Sequence, residues 1–211
     1  MPVLLKGDSN MPVLPMTFSP GTVARRFAVL EEVTLRDTLY QVLFDSKIPF
    51  VAVIEASPSL VGGELRHKVV ATLELQRRPQ LEGVLVKKFW EDCDVAQVEG
   101  VVVDGAMRDI GLATFIYETV AIKAGITLLS DNEQYAGGKA LWHHIARQSR
   151  ELIVFVLDTD TARYLPFDGD RIQYDGKCIP ESDIWSEHPD TSKHGIVLVA
   201  ESRAKYNAAA A

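Results

Sequence analysis

Val98-Glu99-Gly100-Val101-Val102-Val103-Asp104-Gly105-Ala106-Met107-Arg108-Asp109-Ile110-Gly111-Leu112-Ala113 is the stretch on which the reading of this chain turns. Its first part continues Val95-Ala96-Gln97 and is β-branched and apolar, as a central strand should be. A polar turn containing Gly105 and Gly111 follows, and a helix is expected from about Leu112 to Ala124, with Leu112, Phe115, Ile116 and Val120 on its buried face and Gly125 as its stop. A strand that ends in such a turn and passes at once into a helix makes an anion site. The first helical amides lack intrahelical partners, and the helix dipole favours negative charge there. Gly111 and Ala113 are small enough to let a diphosphate approach the main chain.

Downstream of this stretch the pattern predicts a short strand over Ile126–Leu129. Ser130 and Glu133 have the spacing of a capping box and would open a helix carrying Leu141, Trp142 and Ile145 inward. Leu152–Leu157 reads as an apolar strand, Asp158–Lys193 as loop-rich, and Ile196–Ala200 as a closing strand. Upstream, Thr34 with Asp37 also resembles a capping box. Leu35, Leu39, Val42 and Leu43 then share a helical face, and Pro49 ends the segment. Phe50–Glu55 and His67–Gln76 read as a strand pair around the turn signal Pro58–Gly63, and Val84–Trp90 as a further strand. The implied class is α/β in the α+β sense, a mixed, mainly antiparallel sheet flanked by helices. Residues 1–22 read as a tail or strap, 23–205 as one domain and 206–211 as a C-terminal tail. Met-Pro-Val-Leu at position 1 recurs at position 11, and no longer repeat is present.

The bulk composition narrows the function. Apolar residues make up 47% of the 211, which is globular, and no apolar run approaches the roughly 20 residues needed to cross a bilayer. Acidic residues outnumber basic ones by 29 to 22, a formal charge of −7. Such a chain is a poor partner for nucleic acid, because neutralised phosphates supply most of that affinity. Cys93 and Cys178 lack metal-ligand spacing and read as free thiols of a reducing cytoplasm. His143 and His144 point about 100° apart on a helix, a surface pair and not a shared metal site. No metal is expected.

Arg108-Asp109-Ile110-Gly111-Leu112-Ala113 resembles the Arg/Gln-x-x-Gly-x-Gly/Ala pyrophosphate loop of the GNAT acetyltransferases. Val103 matches the valine that ends that family's fourth strand, five residues before the loop. Gly105 stands where proline is common. The likeness is good over about residues 95–160, where strand, loop, helix, strand, helix and strand follow in the family order. It implies acetyl-CoA as co-substrate. The backbone of Val101, Val102 and Val103 would pair with the pantetheine arm, and Arg108, Asp109, Ile110, Gly111, Leu112 and Ala113 would hold the pyrophosphate. Ser130-Asp131-Asn132-Glu133-Gln134, with Gly137-Gly138 and Leu141-Trp142, is similar to GNAT-like proteins encoded by tailed phages. In that case the setting would be a host cytoplasm.

Transfer of an acetyl group to an amine needs a base for the amine and a proton for the leaving thiolate. Alternation places Gln97, Glu99, Val101 and Val103 on one strand face, and the resemblance makes Glu99 the base. The bland alternative is a solvated carboxylate at the strand's open end. The family's usual acid is a tyrosine, but Trp142 stands at the aligned place and reads as core, leaving Tyr135 and Ser130 as substitutes. Gly137-Gly138 costs its helix about 2 kcal/mol and implies a close approach there. The implied function is N-acetyl transfer from acetyl-CoA to a primary amine of a small molecule or protein, by a monomer or homodimer. The alternative is a GNAT-fold binding module or virion-associated protein, catalytically weak and acting on a host partner.

Overall fold

A computed structural model describes residues 3–4, 16–77, 94–108, 110–131, 133–166, 171–187 and 195–210. The architecture is α+β, mostly antiparallel strands with few helices. The expected strand at Val84–Trp90, together with Asp109 and Cys93, lies outside the described residues. The chain divides into two compact units. One comprises residues 1–9, 76–98 and 125–211, and the other 10–75 and 99–124.

The second of these begins with β2 (Thr17–Phe18) and α1 (Pro20–Arg26). These two elements include part of the stretch read as a tail or strap. Ser19 caps α1 by accepting from the Thr22 amide at 3.2 Å, and Pro20 supplies the fixed first turn. Then come β3 (Ala28–Leu35), β4 (Thr38–Asp45), β5 (Phe50–Glu55), β6 (Ser59–Val61) and β7 (Glu64–Gln76). Strands β3, β4, β5 and β7 are neighbours in that order, and every pair is antiparallel.

The helix expected from Thr34 is not formed; a hairpin occupies its place. Arg36 and Asp37 both have positive φ, 49° and 63°, and turn the chain between Leu35 and Thr38. The apolar residues here fit two periods. The period-2 set Tyr40, Val42 and Phe44 is buried, whereas Leu39, which the helical reading put inside, is 42% exposed. Leu43, Ala52, Ile54 and Val69 form a core cluster under Phe18, Val23, Phe27 and Phe50. The Arg26 guanidinium meets the buried Asp45 carboxylate at 2.5 Å beside this cluster.

In the other unit, β1 (Val3–Leu4) pairs in parallel with β10 (Glu133–Gln134). Its main sheet runs in the order β12 (Arg163–Tyr164), β11 (Leu152–Asp158), β13 (Ile196–Ser202), β9 (Thr127–Leu129), and then the first residues of β8 (Val95–Val103). β8 and β9 are parallel over Val95–Gln97, while β13 is antiparallel to both β9 and β11. Val95, Leu129, Ile153, Phe155, Leu157, Val197 and Val199 make one apolar face. Helix α3 (Ala136–Gln148) connects β9 with β11 and buries Trp142, Ile145 and Ala146. The capping box read at Ser130 and Glu133 is absent, since Glu133 belongs to β10 and Tyr135 is the N-cap of α3. Of the residues read as a C-terminal tail, 206–210 lie in α5 (Arg203–Ala210), which packs toward β13 and β11.

Candidate functional site

The later residues of β8 belong to the unit that contains β7. The Asp104 amide donates to the Val70 carbonyl at 2.8 Å and pins the strand's end to β7. The Asp104 side chain accepts from the Ala106 amide at 2.9 Å and caps a 3₁₀ turn over Gly105–Met107. Met107 is buried and accepts from the Tyr40 hydroxyl through its sulfur at 3.7 Å. Helix α2 (Leu112–Lys123) then starts from Gly111, whose φ of 80° is left-handed and which provides no side-chain cap. At the other end Gly125, with φ of 68°, stops α2 as expected.

This geometry sorts the candidate cofactor residues. Val101, Val102, Val103, Ile110 and Ala113 are half-buried, while Arg108 and Gly111 are exposed. Leu112 is only 2% exposed, so its side chain is an anchor and only its amide can face a ligand. The Arg108 Nε donates to the Val103 carbonyl at 3.4 Å, folding the side chain back over the strand end. Two further cations stand at this loop. Arg36 donates to the Ala106 carbonyl at 3.3 Å, and Lys68 lies 3.6 Å from the Asp104 carboxylate. Neither was apparent as a site residue in the sequence, because Arg36 is 70 positions away and arrives through the hairpin turn that was read as helix.

Glu99 lies in the same unit, at the point where β8 passes from buried to half-buried side chains, and is itself exposed. Ser130 and Tyr135 belong to the other unit. Ser130 is fully buried, and its Oγ accepts from the Leu198 amide at 2.9 Å while its own amide donates to the Leu198 carbonyl at 2.8 Å. The hydroxyl thus extends the pairing of β9 with β13 by one step. Tyr135 is half-buried, and its carbonyl accepts from the Lys139 amide at 3.1 Å. Trp142 is core, with 1% exposure.

A polar group that the sequence did not reveal lies in the unit of Ser130 and Tyr135. Gln97 is buried and donates to Asp131 at 3.1 Å, and Gln134 donates to the Asp131 carbonyl at 3.4 Å. The close approach expected at Gly137-Gly138 is to a side chain. A Cβ on Gly138 would stand 2.2 Å from the Gln134 carboxamide oxygen, whereas one on Gly137 would meet nothing within 4 Å.

The histidines are not a surface pair. His144 is exposed, but His143 is buried between the rings of Tyr174 and Trp185, with centroids at 6.2 and 5.9 Å. Burial holds the His143 imidazole below its usual pKa; Glu181 pulls the other way, and Arg147 and Lys139 add to the lowering. Among the described residues no group of His, Cys, Asp and Glu could hold a metal ion, and no helix is long and apolar enough to cross a membrane. Comparison with protein-family models, curated proteins and solved structures gave no match.

Proposed function

We propose that the chain is an acetyl-CoA-dependent N-acetyltransferase of GNAT type, acting on a primary amine. The observation that carries this reading is the edge of β8 beyond its ladder with β9. Its ladder with β9 covers only Val95–Gln97, and β7 is the neighbour on its other side. The backbone of Val101–Val103 is therefore free of a strand partner on one edge among the described residues. It runs within ten residues into the uncapped start of α2 at Gly111. An extended amide-bearing arm can add to such an edge as a peptide strand would. A diphosphate at its end would meet the first amides of α2, with Arg108, Arg36 and Lys68 at hand to balance charge. The residues present fit acetyl-CoA on these grounds, and the thioester supplies the activated acetyl group.

In this reading Val101–Val103 orient the pantetheine arm, and the amides of Gly111, Leu112 and Ala113 hold the pyrophosphate. Glu99 takes the proton from the incoming ammonium. Tyr135 is the better proton donor of the two candidates, since the Ser130 hydroxyl is buried against Leu198. One observation favours the binding-module alternative: Trp142 fills the position where the resemblance calls for a phenol, and it is core.

Thermal unfolding with and without acetyl-CoA tests the first step. A ligand selective for the native state at about 100 times its Kd adds about 2.7 kcal/mol, which is readily seen as a rise in Tm. No rise at millimolar acetyl-CoA would remove the cofactor assignment. A rise without thiol release across a panel of amines and lysine peptides would favour the binding module.

A further inference from the structure

An aromatic cage around Arg171 is built on the apolar face of β11 and β13. The Arg171 guanidinium lies 4.1 Å from the Phe155 ring centroid, 4.8 Å from Tyr164 and 5.6 Å from Tyr206. Phe155 and Tyr164 meet edge to face at 5.8 Å, and Phe155 and Tyr206 are 5.4 Å apart. The rings come from β11, β12 and α5, so the cage is closed by three elements. Its charged wall is Glu201 on β13, paired across the strand with Ile153, buried, and in contact with Arg171 Nη2. Aromatic faces attract a cation through their quadrupoles, and a buried carboxylate beside them adds a counter-charge.

We propose that Phe155, Tyr164, Tyr206 and Glu201 form a receptor for a soft organic cation, a guanidinium or N-methylated ammonium, that Arg171 occupies as a built-in ligand. Three observations carry this. The Arg171 side chain is 35% exposed while Phe155 and Glu201 are buried, so solvent reaches the guest but not the floor. The Arg171 Nε is buried with no hydrogen-bond partner among the described residues, so the cage reads charge and a flat face and leaves part of the fork unused. Finally, residues 171–175 lie in neither helix nor strand, and the backbone bond from the Tyr174 amide to the Val154 carbonyl comes three residues after the guest. The head can leave the cage without breaking a ladder.

The test is rescue of Arg171→Ala by N-methylguanidinium chloride, measured as Tm and as refolding yield against equal sodium chloride. A saturable rise is expected, with an apparent Kd at least tenfold weaker in Arg171→Ala/Glu201→Gln. Acetyl-Gly-Arg-Gly-amide is titrated in parallel. Tighter binding of the peptide assigns the guest to a protein side chain, and equal binding assigns it to a free small cation. Should Arg171→Ala fail to fold, Arg171→Met keeps an apolar stem over Phe155 and is titrated in the same way. A folded variant with no saturable response, or a response that survives Glu201→Gln, overturns the proposal and leaves Arg171 as a packing residue.

Discussion

Replacement of Gly111 separates what the fold needs from what a ligand needs. Its φ of 80° and ψ of 8° are left-handed, and an added Cβ would meet nothing within 4 Å. Steric room is therefore ample, and the cost of a side chain is conformational. For an ordinary L-residue that cost is about 1–2 kcal/mol; asparagine tolerates the region better. A domain of this size loses about 2–4 °C of Tm per kcal/mol. Gly111→Ala should thus lower Tm by about 2–8 °C, and Gly111→Asn by less. Affinity for CoA should behave differently. In the proposed reading a side chain at this position stands where the diphosphate reaches the first amides of α2, so alanine and asparagine should both weaken CoA by at least about tenfold, or about 1.4 kcal/mol. Scanning calorimetry gives the first quantity and titration calorimetry the second. If alanine leaves Tm unchanged, the backbone argument fails. If asparagine is folded and binds CoA as tightly as the native chain, the pyrophosphate assignment fails.

Two further outcomes test the structure itself. Burial pushes the Asp45 pKa up, but the Arg26 guanidinium and the amides of Lys47 and Ile48 more than offset it, so the net shift is downward. A lowered folded pKa means stability that is present above the unfolded value of about 3.9 and lost as pH falls through the folded pKa. Asp45→Asn should therefore be less stable than the native chain at pH 7, by about 1.5–3 kcal/mol for a lost charged hydrogen bond, and the gap should close below pH 4. A gap that does not change with pH in urea melts would refute the assignment. Ser130→Ala leaves the buried Leu198 amide without its acceptor and should cost about 1–3 kcal/mol, largely recovered by Ser130→Thr; a neutral alanine variant would show that the Oγ bond does not hold β9 to β13.

The region from Val95 to Lys123 was legible because its signals are local. The β-branched run gives β8, the apolar spacing gives α2, and Gly125 stops it where expected. The hairpin between β3 and β4 was not legible, because its turn uses Arg36 and Asp37 at positive φ instead of the Gly or Asn that would mark it. Thr34, Leu35, Leu39 and Leu43 then imitate a capped helix. Likewise Ser130 and Glu133 have the spacing of a cap, yet the serine hydroxyl goes 68 positions forward to Leu198. His143 and the Arg171 cage depend on partners brought in from separate helices, strands and loops between residues 155 and 206, which no local periodicity announces.

Two glutamates in apolar strands show what burial can and cannot say about function. Glu201 on β13 is 7% exposed, and a carboxylate there is tolerated only with a cation beside it, which Arg171 supplies. Its charge is bound up with the fold, and a ligand can use it only by replacing the arginine. Glu99 on β8 carries no such debt, because it points into solvent where the strand emerges from the core. Among the described residues no cation pairs with it, so removing its charge should leave stability nearly unchanged. That makes Glu99→Gln a cleaner probe of catalysis than any change at Ser130. A loss of turnover on the order of 10²- to 10⁴-fold with unchanged Tm and CoA affinity is the signature of a general base at this position. Full turnover in the glutamine variant would return Glu99 to the role of a solvated surface carboxylate.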